Sequence, residues 1–147
     1  MKKPADLRAH LTAAVPVLAK HPDKLHVFIE KGAIATKPGA SMSFEYRYTL
    51  QLVVTDYSEP ADTLIVPLLA WLSINQPDLI ADPDKRAKTI GFEAELIDHD
   101  QADIALTLEL SERVIVTEVE GGYSCAHLDE PPLPDLGGPT VWAINPE

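Results

Sequence analysis

The residues best suited to chemistry cluster at Asp98, His99, Asp100 and Asp103, where an imidazole and three carboxylates fall within one short segment. Imidazole and carboxylate groups are ligands for divalent metals. The same stretch, "DHDQAD", lies between two runs of alternating apolar residues, where Asp is an ordinary turn residue, and a solvated turn is the simpler reading. The histidines His10, His21, His26, His99 and His127 show no HExxH or HxH spacing. Cys125 and His127 point to one face of a strand and, given a carboxylate, imitate a thiol catalyst. A buried small hydrophobe beside a surface imidazole needs fewer assumptions. Glu93 and Glu95 also share a strand face and equally suit the wet side of an amphipathic strand. There is no P-loop, GxGxxG or GxSxG pattern. Phe44, Tyr46 and Tyr48 resemble a base-stacking platform, yet Arg47 is their only basic neighbour and core packing explains them better. These residues imply no catalytic site, no metal site and no cofactor.

The elements around them are legible from periodicity. In "SFEYRYTLQLVVTDY", residues 43–57, every even position from Phe44 to Val54 is apolar or aromatic, the signature of a strand with one dry face. It is long, roughly 40 Å at ~3.4 Å per residue. "LRAHLTAAVPVL" carries Leu7, Leu11, Ala14, Val15 and Leu18 at helical spacing, with a kink or early end expected at Pro16. "KLHVFIEKGAIAT" predicts a strand through Leu25, Val27 and Ile29, with Lys31-Gly32 as a turn. "SEPADTLIVPLLAWLSINQPDL" predicts the second helix, capped by Ser58 or Asp62, with Pro67 inside it and Pro77 at its end. Ile90, Phe92, Ala94 and Leu96 alternate as another strand with a dry face. Ile104, Leu106, Leu108 and Leu110 begin a further strand whose phase breaks at Ser111-Glu112-Arg113, predicting a bulge or bend before "VIVTEV". "YSCAHL" pairs back across Gly121-Gly122 as a hairpin.

The pattern predicts an α+β fold: a mostly antiparallel sheet of about five strands with two helices packed on one face. A single domain covers residues 1–128, and "DEPPLPDLGGP" opens a proline-rich C-terminal arm, 129–147. Two short helices cannot cover so long a sheet, and Val53 and Ile115 lie on the opposite face. Burial against other subunits is therefore expected.

The 147 residues suit one domain, and 46% hydrophobic residues exclude overall disorder. No run is long and apolar enough for a membrane helix, and "MKKPADLRAHLT" lacks the apolar segment of a secretory signal. A lone cysteine forms no internal disulfide, so synthesis in a reducing cytoplasm is expected. The net charge of −11 is uneven: residues 98–147 hold eleven acids against Arg113 alone, while 1–97 hold twelve against eleven bases. Such a surface disfavours direct nucleic-acid binding, though it suits a conduit that must not retain DNA.

Read together, "LRAHLTAAVPVL", "SFEYRYTLQLVVTDY", "LIVPLLAWLSINQPDL", "LSERVIVTEVEGG" and "EPPLPD" resemble the tail completion protein R family of temperate contractile-tailed phages and related phage-tail-like bacteriocins. The resemblance covers roughly residues 4–134. Its most specific pieces are Arg47-Tyr48 with Thr55-Asp56, and "LIVPLLAWL" with Asn75-Gln76-Pro77. It implies a structural virion protein, made in the bacterial host cytoplasm, that completes the tail before head joining. The fold is expected to be tail-terminator-like, with copies closing as a hexameric ring on the tail tube or sheath. Implied partners are the chain itself, tube or sheath proteins, and head-completion or neck proteins, with DNA meeting at most an acidic lumen. Candidate contact residues are Arg47, Val53, Asp56, Trp71, Ile115 and Trp142. The family has no catalytic motif to carry over. Other readings are a head–tail connector, an assembly chaperone not retained in the particle, and a small metal-binding enzyme centred on 98–103. "GPTVWAINPE" falls outside the resemblance.

Overall fold

Leu7, Leu11, Val15 and Leu18 recur at helical spacing and are buried in the computed structural model, which describes residues 1–98 and 100–131. Leu7 and Leu11 lie on α1 (Lys3–Ala14), Leu18 on α2 (Pro16–Lys20), and Val15 at the break between them. Pro16 breaks the run as its chemistry requires: Val15 is extended, and its N–H closes α1 on the Leu11 carbonyl at 2.9 Å. A single 3-10 turn, Pro22–Lys24, leads into β1 (Leu25–Thr36). The remaining elements are β2 (Phe44–Tyr57), α3 (Asp62–Asn75), α4 (Asp78–Ala81), α5 (Pro83–Arg86), β3 (Gly91–Leu96), β4 (Ala102–Val119) and β5 (Gly122–His127). Among the described residues no helix is long and apolar enough to cross a membrane.

The strands form one five-stranded antiparallel sheet in the order β1-β2-β4-β3, with β5 also paired to β4. The even face of β2 meets the even face of β4: Leu50 opposes Leu108, Leu52 opposes Leu106 and Val54 opposes Ile104. All six are buried under Leu7 and Leu11 of α1 and Leu64, Leu68 and Leu72 of α3. A fully buried Leu contributes roughly 1.5–3 kcal/mol, so this layer is the main source of stability. Polar ties fix how the helices cross: the Trp71 indole N–H donates to Asp6 Oδ2 at 2.9 Å, and His10 Nε2 lies 3.0 Å from the Pro67 carbonyl.

Four local expectations are corrected. Lys31-Gly32 is not a turn: β1 continues through it to pair with β2 from Phe44 to Val54, with a bulge between Ile29 and Lys31. Gly32 is needed for close approach, since a Cβ there would sit 3.1 Å from Tyr48 Cβ and 3.2 Å from the Arg47 carbonyl oxygen. Neither Ser58 nor Asp62 caps α3; its first turn is held by the Pro60 carbonyl, which accepts from Thr63 N at 3.0 Å. No bulge occurs at Ser111–Arg113, where β4 keeps register with β2 from Leu110 to Val114. The irregularity falls between Val54 and Tyr57, where Asp56 takes φ 50°, a left-handed conformation that Asp tolerates. Finally, β3 is a strand, but its apolar face is not dry. Phe92 is 58% and Leu96 79% exposed, because the helices stop short of this edge.

Candidate functional site

The polar centre of the molecule is a residue that the sequence disguised. Glu112 occupies an inward position of β4 between Leu110 and Val114, and only 3% of its surface is exposed. A carboxylate there must be satisfied, and it is. Oε1 accepts from Lys2 N at 2.8 Å and lies 3.1 Å from His127 Nδ1; Oε2 accepts from Tyr48 Oη at 2.6 Å and Lys3 N at 3.2 Å. Glu112 thus caps α1 from across the fold. No local side chain caps that helix, Pro4 has no amide to satisfy, and negative charge is favoured at a helix N-terminus.

Lys3 continues the network. Its ammonium donates to Gln76 Oε1 at 2.7 Å, the Ser111 carbonyl at 2.6 Å and Glu130 Oε2 at 3.2 Å. Ser111 N also donates to Gln76 Oε1 at 3.0 Å. The reason lies in the sheet. On the edge facing away from β2, β4 pairs with β3 at 102–107 and with β5 at 114–119. Gln76 and Lys3 stand in for a strand at Ser111, between those two ladders.

Burial alone would raise the Glu112 carboxyl, but the donors Lys2 N, Tyr48 Oη and Lys3 N, with the N-terminal charge, hold it below the ordinary carboxylate range. Burial, with the Glu112 charge beside it, pushes the Tyr48 phenol up. Burial pulls the Lys3 ammonium down, which Glu130 and Glu112 only partly offset. With its oxygens committed to backbone and side-chain donors, Glu112 is a structural clasp.

The other candidate residues do not converge. Asp98 Oδ1 accepts from the Asp100 and Gln101 amides at 2.8 and 3.0 Å, and Asp103 Oδ1 from Asp56 N at 2.9 Å, so both carboxylates shape backbone. His99 lies outside the described residues. Cys125 is exposed on β5, a correction to its expected burial, and His127 turns to Glu112. Arg47 is exposed on the outer face of β2 and pairs with Glu45 at 2.8 Å. Val53 is half-buried farther along the same face, and Asp56 is exposed, its carbonyl accepting from Lys24 Nζ at 3.0 Å. Ile115, 41% exposed, stands on the β4–β5 ribbon beyond the end of β2. Trp71 is buried in the helix layer. Trp142 lies outside the described residues. An open cleft of about 820 Å³ includes Lys31, Arg47, Asp78, Lys85 and Glu109, with Lys85 paired to Asp78 at 2.8 Å.

What the geometry offers a partner is surface and strand edge. Ile34 is 62% exposed at the far end of β1, and Phe92, Leu96 and Ile97 are exposed at the opposite edge. Over residues 1–131 the chain matches the family model for the P2 phage tail completion protein R (GpR). It is 44% identical to the tail completion protein R of Escherichia phage P2 over 148 aligned positions, taking in 100% of this chain and 96% of the relative. No solved structure matches it.

Proposed function

The chain belongs to the P2 phage tail completion protein R (GpR) family, and we propose that it is a structural tail component that closes as a ring, a hexamer, over the last layer of tube or sheath before the head joins. The observation that carries the tail-completion role is the full-length match at 44% identity. The ring is supported by the sheet: apolar side chains are left open at both of its edges, and such a surface calls for a partner. A fixed contact between unlike surfaces, repeated by rotation, closes a ring.

On this reading the neighbours are further copies of the chain, tube or sheath subunits, and the head-completion or neck proteins. The acid-rich C-terminal third supplies negative charge where DNA passes without being held. Residues 1–128 act as the folded domain and 129–147 as an arm that reaches a partner, with Glu130 anchoring the arm's base to Lys3 at 3.2 Å. The chain acts by contact, not by catalysis. Quantitative mass spectrometry of purified tails tests this: six copies per tail are expected. A chain present during assembly but absent from finished particles would mean a chaperone instead.

A further inference from the structure

Of the three strands that leave one edge without a neighbour among the described residues, β1, β3 and β5, the first two lie on opposite sides of the sheet. They differ in ways that bear on pairing. β3 is six residues long, regular in its register with β4, and exposed throughout. Phe92, Ala94 and Leu96 share the helix-side face with Leu106, Ile104 and Ala102 opposite them, so an apolar stripe runs from the core out to open solvent. β1 is bulged in its middle, a feature that guards an edge. Beyond the bulge, Lys31–Thr36 is again regular for six residues, with exposed Ile34 on the helix-side face.

The outward faces of these segments carry opposite charge. β3 presents Glu93 and Glu95, with Asp103 paired across from Glu95. The β1 segment presents Lys31, which makes no ion pair among the described residues, while Arg47, across from Ala33, is already neutralised by Glu45, across from Ala35. Pairing β3 with a second β3 would set acids against acids, and like charges directly opposite destabilise a ladder. Pairing β3 with the β1 segment matches charge on one face and covers apolar side chains on the other.

We infer that copies of this chain associate head to tail by edge pairing, the β3 edge of one (Gly91–Leu96) adding to the post-bulge half of β1 (Lys31–Thr36) of the next. The inference rests on the ring reading and gives that ring its interface. Natural proteins hide regular, apolar edges of this kind; here a second copy hides it. A six-residue pairing is a small contact, so the ring gains its persistence from closure and from the tail beneath it.

The test is site-directed cross-linking in the full chain carrying Cys125→Ser, Ile34→Cys and Ala94→Cys, the two new thiols lying on the same sheet face. Copper–phenanthroline oxidation, applied to tails and to the concentrated purified chain, should give a ladder of covalent multimers on a denaturing gel. Either new cysteine alone should leave monomers. Glu93→Lys with Glu95→Lys should abolish the ladder with the far-ultraviolet circular dichroism unchanged, and adding Lys31→Glu should restore it. Dimers from Ala94→Cys alone would mean that β3 pairs with itself and would overturn the proposal. So would completed tails in which the double variant stays monomeric, an outcome that leaves the capping role intact. If the chain is missing from purified tails, the capping role fails instead, and the ladder of the purified chain decides the edge pairing.

Discussion

Replacing Glu112 by Gln keeps the shape of the side chain and removes its charge and one acceptor. The two oxygens now serve Lys2 N and His127 on one side, Tyr48 Oη and Lys3 N on the other. Tyr48 can rotate its hydroxyl to accept from an amide, but a backbone N–H cannot. Whichever way the new amide turns, Lys2 N or Lys3 N loses its acceptor. An orphaned buried donor costs about 1–3 kcal/mol, and the remaining bonds weaken by about 1 kcal/mol once the acceptor is neutral. The expected loss is about 2–4 kcal/mol, or a fall in melting midpoint of roughly 4–16 °C at about 2–4 °C per kcal/mol. Thermal unfolding followed by circular dichroism at neutral pH measures it. The pH dependence gives an independent check. The carboxyl is held below its ordinary value of 4.5 in the folded state, so its contribution is complete above that pH and is lost as pH falls through the folded value. The wild-type chain should therefore lose stability on acidification below pH 4.5 more steeply than the Gln variant. A midpoint unchanged at neutral pH, with parallel acid limbs, would refute the clasp.

Leu68→Asp should prevent folding, because an unpaired charge in the helix layer costs several kcal/mol; a folded far-ultraviolet spectrum at 25 °C would contradict that packing. Trp71→Phe removes the indole bond to Asp6 and should cost about 1 kcal/mol in chemical denaturation while leaving tail assembly unchanged; an assembly defect in a stable variant would make Trp71 a contact residue. Asp103→Ala releases the Asp56 amide at the β2 irregularity and should cost about 1 kcal/mol by denaturant unfolding, since the site is exposed; loss of infectivity with full stability would reopen a ligand role for the loop.

Periodicity exposed most of the fold because the protein has one dominant buried layer. The even stripe of β2, the helical stripe broken at Pro16 and the hairpin across Gly121-Gly122 each follow from local pattern. Two of the failures share a cause: a residue type has a usual role, and a tertiary constraint gives it another. Lys31-Gly32 has turn composition, but the glycine is there because Tyr48 passes close by. Glu112 looked like a phase break because a carboxylate rarely faces a core. In fact it keeps phase between Leu110 and Val114, and its partners at Lys2 and Lys3 lie 110 and 109 residues away. One signal was available: Val114 resumes the even stripe, which a true bulge would have shifted to odd positions. Ile90–Leu96 failed differently. Its alternation is real, but nothing in one chain's periodicity says whether the covering surface belongs to the same molecule.

The most direct test of the tail-completion role is negative-stain electron microscopy of lysates made without this chain. If it completes the tail, tails should accumulate unjoined beside filled heads, with abnormal length or an open upper end, and supplying the chain should restore joining. Tails of normal length attached to filled heads in its absence would contradict that role.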